Sequence, residues 1–186
     1  MRRLWRLMFL FAALLAGLAH AAPEYSIKAG YILLFTRYVE WPESAFPSPT
    51  APIVICVLGL DPFGSILDET VAGQHSQKRP LRVRRVANAQ EAEDCHVAFI
   101  ATPEDRQELR QQAGDWIEVL ADRPVLTITE HLAALDRGAI LSFVHEVDGG
   151  QTRISFEASL PSMRRAGLTV SSQMLVAARK VHRSSL

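Results

Sequence analysis

Two cysteines, six histidines and one glycine-bounded loop are the residues of this 186-residue chain whose chemistry and spacing invite a function. Cys56 lies inside Ile53 to Leu60, and Cys95 stands before the apolar run His96 to Ala101. The histidines at 75, 96, 131, 145 and 182 share no ligand spacing such as H-x-x-x-H, and four convergent ligands are what a structural zinc site needs. The chain carries no metal site on this reading, and no cofactor. Cys95 and His96 resemble a thiolate with its base, but neighbours on a strand point to opposite faces. Gly59 to Gly64 has the glycine spacing of a phosphate loop, yet Ser65 follows where a Lys must hold the phosphate. No G-x-S-x-G is present, which removes the α/β-hydrolase pattern. The reading is of a protein that is not an enzyme.

The elements that position these residues are legible from periodicity. Ile53 to Leu60 is a short continuous run rich in Val and Ile, the pattern of a strand buried on both faces. Gly59 and Asp61-Pro62 break it, and Phe63 to Asp68 opens a helix packed back on the sheet. His96 to Ala101 repeats the pattern, so each cysteine sits in its own buried strand. Upstream, apolar residues from Glu24 to Trp41 recur at three and four along nearly the whole girth, which predicts a core helix ended by Pro42. Leu81 to Val86 alternates apolar and basic, as a strand nearer the sheet edge does. A short helix covers Ala89 to Glu93, and Pro103 starts a charged helix, Glu104 to Ala113. Val125 to Ile128 is a strand, and Thr129 to Leu135 a helix capped by Thr129.

Towards the C-terminus, Ala139 to Val147 and Gln151 to Glu157 flank Asp148-Gly149-Gly150, a hairpin signal. Ser159 caps a short helix stopped by Gly167, and Ser171 or Ser172 opens the last helix. The expected fold class is α/β. Alternating strands and helices give a three-layer α/β/α sandwich, its sheet mainly parallel with a C-terminal antiparallel hairpin.

Residues 1–21 read as a signal peptide: Arg2, Arg3 and Arg6, an apolar run from Leu7 to Leu18, and the A-x-A site Ala19-His20-Ala21. About 12 apolar residues are too few to span a bilayer comfortably. Residues 22–186 then form one domain, exported to the periplasm and without direct membrane insertion. Losing three Arg and no acid leaves 17 basic against 20 acidic residues. Such a surface argues against nucleic acid as a partner. In an oxidising compartment Cys56 and Cys95 read first as a disulfide, closing a loop of ~39 residues for about 3–4 kcal/mol in the chain-entropy account. Two buried free thiols that never meet are the alternative.

With these elements placed, the chain resembles the YfiR family of exported Gram-negative proteins. The resemblance is carried by Glu24-Tyr25-x-Ile27-Lys28-Ala29 with Tyr31 and Phe35, by Val39-Glu40-Trp41-Pro42, and by Cys56-Val57-Leu58-Gly59 with Asp61-Pro62-Phe63-Gly64. It continues through Cys95-His96-Val97, Leu126-Thr127-Ile128, Ile154-x-Phe156-Glu157 and Ala166-Gly167-Leu168-x-Val170-Ser171-Ser172. Two departures stand out. Ala158-Ser159 replaces the usual Ile-Asn after Phe-Glu, and a second cysteine pair carried by some members is absent.

The resemblance implies a periplasmic regulator that binds the periplasmic domain of an inner-membrane diguanylate cyclase and represses it. Cyclic-di-GMP then falls, motility is favoured over biofilm, and reduction of a disulfide tunes the effect. Candidate partner-binding residues are Trp41, Phe46, Leu168, Val170 and Met174; core packing is the alternative for all five and the preferred one for Trp41 and Leu168. A homodimer is a further candidate assembly. The alternative function is a periplasmic small-ligand binder, its crevice at the carboxyl ends of the parallel strands lined by Asp61, Phe63, Gly64 and Ser65.

Overall fold

The computed structural model describes residues 24–101, 106–148 and 151–184. The expected signal peptide, Pro103 and the turn glycines at 149 and 150 lie outside these. Helix α1 covers residues 24–38 and turns its apolar stripe, Ala29, Ile32 and Phe35, into the core. It stops short of Trp41, because Val39–Glu40 is extended as strand β1 and pairs with strand β9, Thr169–Val170. That pairing partner lies far along the chain, so nothing local in the sequence announces it.

Strand β2 (Ile53–Leu58) is buried at every residue, as its unbroken apolar run requires. Helix α2 (Ile66–Val71) follows, and then β3 (His75–Ser76) and β4 (Arg79–Val86). After a 3₁₀ turn at Ala89–Ala92 come β5 (Val97–Ile100), helix α3 (Gln107–Leu120) and β6 (Leu126–Thr129). A 3₁₀ turn at Leu132–Ala134 leads to the hairpin of β7 (Leu141–Asp148) and β8 (Gln151–Ser159). Helix α4 (Leu160–Arg165), β9, helix α5 (Ser172–Ala177) and β10 (Lys180–His182) complete the order. Ser159 and Ser171 cap α4 and α5 by accepting from Ser162 N and Gln173 N. Gly167, at φ +69, turns the chain out of α4.

The main sheet has eight strands in the order β10-β8-β7-β6-β5-β2-β4-β3. Its central five, β4, β2, β5, β6 and β7, are mutually parallel, and β7 and β8 form the expected antiparallel hairpin. Alternation along the strands splits the interior in two. Ile53, Ile55, Val57, Phe99, Ile128, Phe143 and Phe156 face α1, α2, α4 and α5. Val54, Cys56, Leu58, Ala98 and Ile100 face α3 and the 3₁₀ turns. The result is the three-layer α/β sandwich.

Several elements depart from the sequence reading. Cys95 lies just before β5 instead of inside it, because the chain is still turning out of the 3₁₀ segment. Helix α3 runs on past Ala113 to Leu120 and buries Ile117 and Leu120, while its expected first residue, Glu104, lies outside the described residues. The polar segment between α2 and β4 contains β3, whose Ser76 is buried with its hydroxyl donating to Thr36 O at 2.7 Å. The last helix ends at Ala177, and the residues beyond it become β10, parallel to β8. Glu157 explains that ending. Buried on β8, its carboxylate accepts from Arg179 and lies 2.7 Å from His182 Nε2, which draws the chain into the sheet edge.

Candidate functional site

Cys56 and Cys95 form a disulfide, with Cα atoms 5.9 Å apart. The bridge lies wholly on the α3 side of the sheet, among Ala89, Ala92 and Ala98. Cys56 is fully enclosed in β2, and Cys95 retains 4% exposure at the edge of the layer.

The residue after Cys95 anchors a different region. His96 accepts from Val54 N through Nδ1 at 3.2 Å, so its proton resides on Nε2, which donates to Ala45 O at 3.1 Å. Its carbonyl accepts from Trp41 Nε1 at 3.0 Å. The Phe46 ring stacks on the imidazole at 4.3 Å, and the Arg79 guanidinium covers the other face of Phe46 at 3.6 Å from its centroid. Arg79 also donates to Ser48 O and Ala51 O, both at 2.9 Å. One imidazole thus pins the segment from Trp41 to Val54, which holds several prolines and little regular structure. Burial holds the His96 ring below the ordinary histidine range. It is a neutral structural group, committed at both nitrogens.

At the carboxyl ends of the parallel strands, the candidate ligand loop is occupied by its own side chains. Asp61 Oδ1 accepts from Phe63 N at 2.8 Å, which makes the turn, and Asp61 Oδ2 accepts from Arg85 Nε at 2.9 Å. Arg85 also donates to Asp68 at 2.8 Å and to Gly64 O. Hydrogen bonding to Asp68 and Asp61 keeps the guanidinium firmly protonated, and the Asp68 carboxyl is held below the usual carboxylate range by its bond from Arg85. Phe63 is buried edge-on to Phe99 at 4.7 Å and to Tyr25 at 5.3 Å. Ser65 precedes α2 and makes no side-chain cap. Gly59, at φ +74, lies against the Trp116 ring, where a Cβ would stand 3.1 Å from Cζ3. These residues close a turn that Arg85 ties together through Asp61, Asp68 and Gly64 O.

A cluster that sequence reasoning missed joins α1 to Glu130, the residue after β6. Lys28 is buried on α1, paired with Glu24 and Glu130, with its ammonium 4.6 Å from the Tyr25 ring centroid. Burial, and then the Glu130 charge, push the Tyr25 hydroxyl well above the ordinary tyrosine range. His145 Nε2 lies 3.4 Å from Glu24. The single signal was a Lys within an otherwise apolar stretch of α1. Among the described residues, no three His, Cys, Asp or Glu side chains converge as metal ligands.

The candidate partner-binding residues separate by depth. Trp41 (8% exposed), Leu168 and Met174 are packed in the layer beneath α1, and Phe46 and Val170 are half-buried. Larger apolar exposure occurs elsewhere, at Ile27 (49%) and Leu34 (42%) on the outward side of α1. Periodicity conceals this face, because the helix is apolar on most of its girth.

Residues 25–179 match the YfiR/HmsC-like family. The chain belongs to that family. Its members are periplasmic regulators of diguanylate cyclases. A crystal structure of a conserved domain protein from Vibrio cholerae O1 biovar El Tor str. N16961 is also similar, at 12% identity and a TM-score of 0.47. The match covers 69% of this chain and 54% of that one, so this chain spans about half the length of that relative. Among the described residues, no helix is long and apolar enough to cross a membrane.

Proposed function

We propose that the mature chain, released from its leader near Ala21, is a periplasmic repressor. It binds the periplasmic domain of an inner-membrane diguanylate cyclase and lowers cyclic-di-GMP. The observation that carries this reading is membership of the YfiR/HmsC-like family over residues 25–179. The side chains are in keeping with it. The histidine beside the bridge, the carboxylates at the strand ends and the buried Lys28 are each engaged in holding the fold. Regulation by binding needs no reacting group, only a surface and a defined shape. Of the candidate contacts, Phe46 and Val170 keep side-chain surface available to a partner.

The redox part of this reading rests on the bridge between Cys56 and Cys95. Its removal takes away about 3–4 kcal/mol in the chain-entropy account, a large share of a domain's stability. The small-ligand alternative draws less support, because Arg85 fills the loop it would use.

The test is capture from solubilised membranes by the purified mature chain, followed by identification of bound cyclases. The expected outcome is one cyclase with a periplasmic domain, together with raised cyclic-di-GMP in a strain lacking this protein. Unchanged cyclic-di-GMP and surface attachment in that strain would overturn the proposal. A second copy of the chain is the lesser candidate partner, and size-exclusion chromatography at two concentrations reads it directly.

A further inference from the structure

The two sulfurs of the bridge stand in unequal surroundings. Cys56 is the fourth residue of β2, hydrogen-bonded in register with Arg84 of β4 on one side and Ala98 of β5 on the other, and none of it is exposed. Cys95 lines a cleft of about 310 Å³ at the protein surface. Ser44 and Ala45 form one wall of that cleft, and Glu93, Asp94 and Arg123 to Val125 form the rest. The Ser44–Ala45 wall belongs to the segment that His96 fastens, through Ala45 O, Val54 N, the Phe46 ring and Trp41 Nε1.

We propose that Cys95 Sγ is the sulfur at which the bridge exchanges with external thiols, and that the segment from Glu43 to Phe46 is the cover which His96 holds beside it. The reaction needs a dithiol reductant. Its thiolate attacks Cys95 Sγ in line with the bridge. A new sulfur–sulfur bond forms to Cys95 as the bond to Cys56 breaks, and the electron pair leaves on Cys56 Sγ, which takes up a proton. The second thiol of the reductant, as its thiolate, then displaces Cys95, whose sulfur takes up a proton in turn. Both protein thiols end reduced and the dithiol ends as a disulfide. Attack at Cys56 would require β2 to part from a neighbouring strand, whereas attack at Cys95 requires only that a short turn swing aside. Because Cys95 and His96 are adjacent, reduction also frees the backbone that carries the fastening imidazole. Loosening the cover speeds reduction, and reduction loosens the cover. This deepens the redox part of the proposed function but stands on the bridge alone, so its failure would leave cyclase binding untouched.

Two measurements test it. In the single-cysteine chains C56S and C95S, the remaining thiol is titrated with an aromatic disulfide reagent. Cys95 should react roughly tenfold faster or more, as expected where local opening governs access. Comparable rates, or a faster Cys56, would overturn the proposal. In chains with the bridge intact, reduction by dithiothreitol is compared between H96N and V71A. In H96N the introduced amide oxygen can still accept from Val54 N, but Ala45 O and the Phe46 ring lose their support. Val71 is buried on the opposite side of the sheet, so V71A serves as a stability control. At matched stability, H96N should be reduced roughly tenfold faster. Equal rates would mean that global unfolding admits the reductant, and the cover would have no role. Should the single-cysteine chains unfold, both thiols react at once and the second comparison decides.

Discussion

The two sides of the central sheet hold together by different means. Beneath α1 the interior is aromatic: Phe35, Phe63, Phe99, Phe143 and Phe156 interlock edge-to-face or stacked, with Phe63 and Phe99 at 4.7 Å and Phe35 and Phe156 at 4.9 Å. Beneath α3 it is aliphatic: Leu58, Ile100, Ile117 and Leu120 sit among the alanines Ala89, Ala92, Ala98, Ala113, Ala134 and Ala139, and its one aromatic among the described residues is half-buried Trp116. Large rings bring burial and specific geometry together. Alanines bring close approach but little apolar area per residue, so on this side the burial rests on the Leu, Ile and Val residues between them. The covalent bridge lies on this alanine-rich side, which lacks the interlocking rings of the other.

Strand β5 carries both solutions on adjacent residues, since Phe99 faces the aromatic side and Ala98 the other. Phe99→Ala is therefore expected to have the largest effect, a loss of about 3–5 kcal/mol from ring and cavity together, read from the urea midpoint. Replacing both cysteines by alanine should remove about 3–4 kcal/mol. It should also make the chain indifferent to reductant, whereas Phe99→Ala should leave that sensitivity intact. If bridge removal proved nearly neutral, the alanine side would be self-sufficient and the contrast would fail. Ala98→Leu reverses the sense of the first change. The tight layer should resist added volume at a cost of about 1–3 kcal/mol, measured by thermal melting.

A smaller effect follows from pH. Burial holds His96 below its ordinary value of 6.5, so the folded chain favours the neutral ring. The unfolded chain takes up its proton first as pH falls. The His96 contribution is therefore fully present above pH 6.5 and is lost as pH drops from there towards the folded value. Melting temperatures between about pH 7.5 and about pH 5.5 should fall more steeply in the native chain than in H96N. The smallest effect is expected from Arg165→Ala. Its pairing with Asp122 is exposed on both sides, and its loss should fall within the scatter of the melting curves.

The sequence made one half of this contrast easier to read than the other. The unbroken run from Ile53 showed that β2 is covered on both sides, and Asp148-Gly149-Gly150 announced the hairpin of β7 and β8. Ser159, Ser171 and Gly167 marked the ends of the C-terminal helices by local chemistry alone. What the sequence concealed depends on contacts between distant residues. Val39–Glu40 is extended because Thr169–Val170 comes to meet it, and Lys180–His182 is a strand because Glu157 holds Arg179 and His182. Met174 was as consistent with a surface as with an interior, since a side chain's type sets its affinity for burial and the fold sets its depth. His96 gave no sign of its task, because its partners at Ala45 and Val54 are backbone atoms 51 and 42 positions away.

The hairpin between β3 and β4 turns at Gln77 and Lys78, both at positive φ, where glycine or asparagine is usual. Gln77 stays there for its amide, which donates to Thr36 O at 2.9 Å and Val39 O at 2.6 Å, at the point where α1 runs out of its own donors. A glycine at 77 would relax the bend and uncork the helix in the same stroke. Evolution of this corner is thus caught between a comfortable backbone and a stoppered helix, and a drift towards the easier turn would be felt first at Val39, where the chain leaves α1 for its small second sheet.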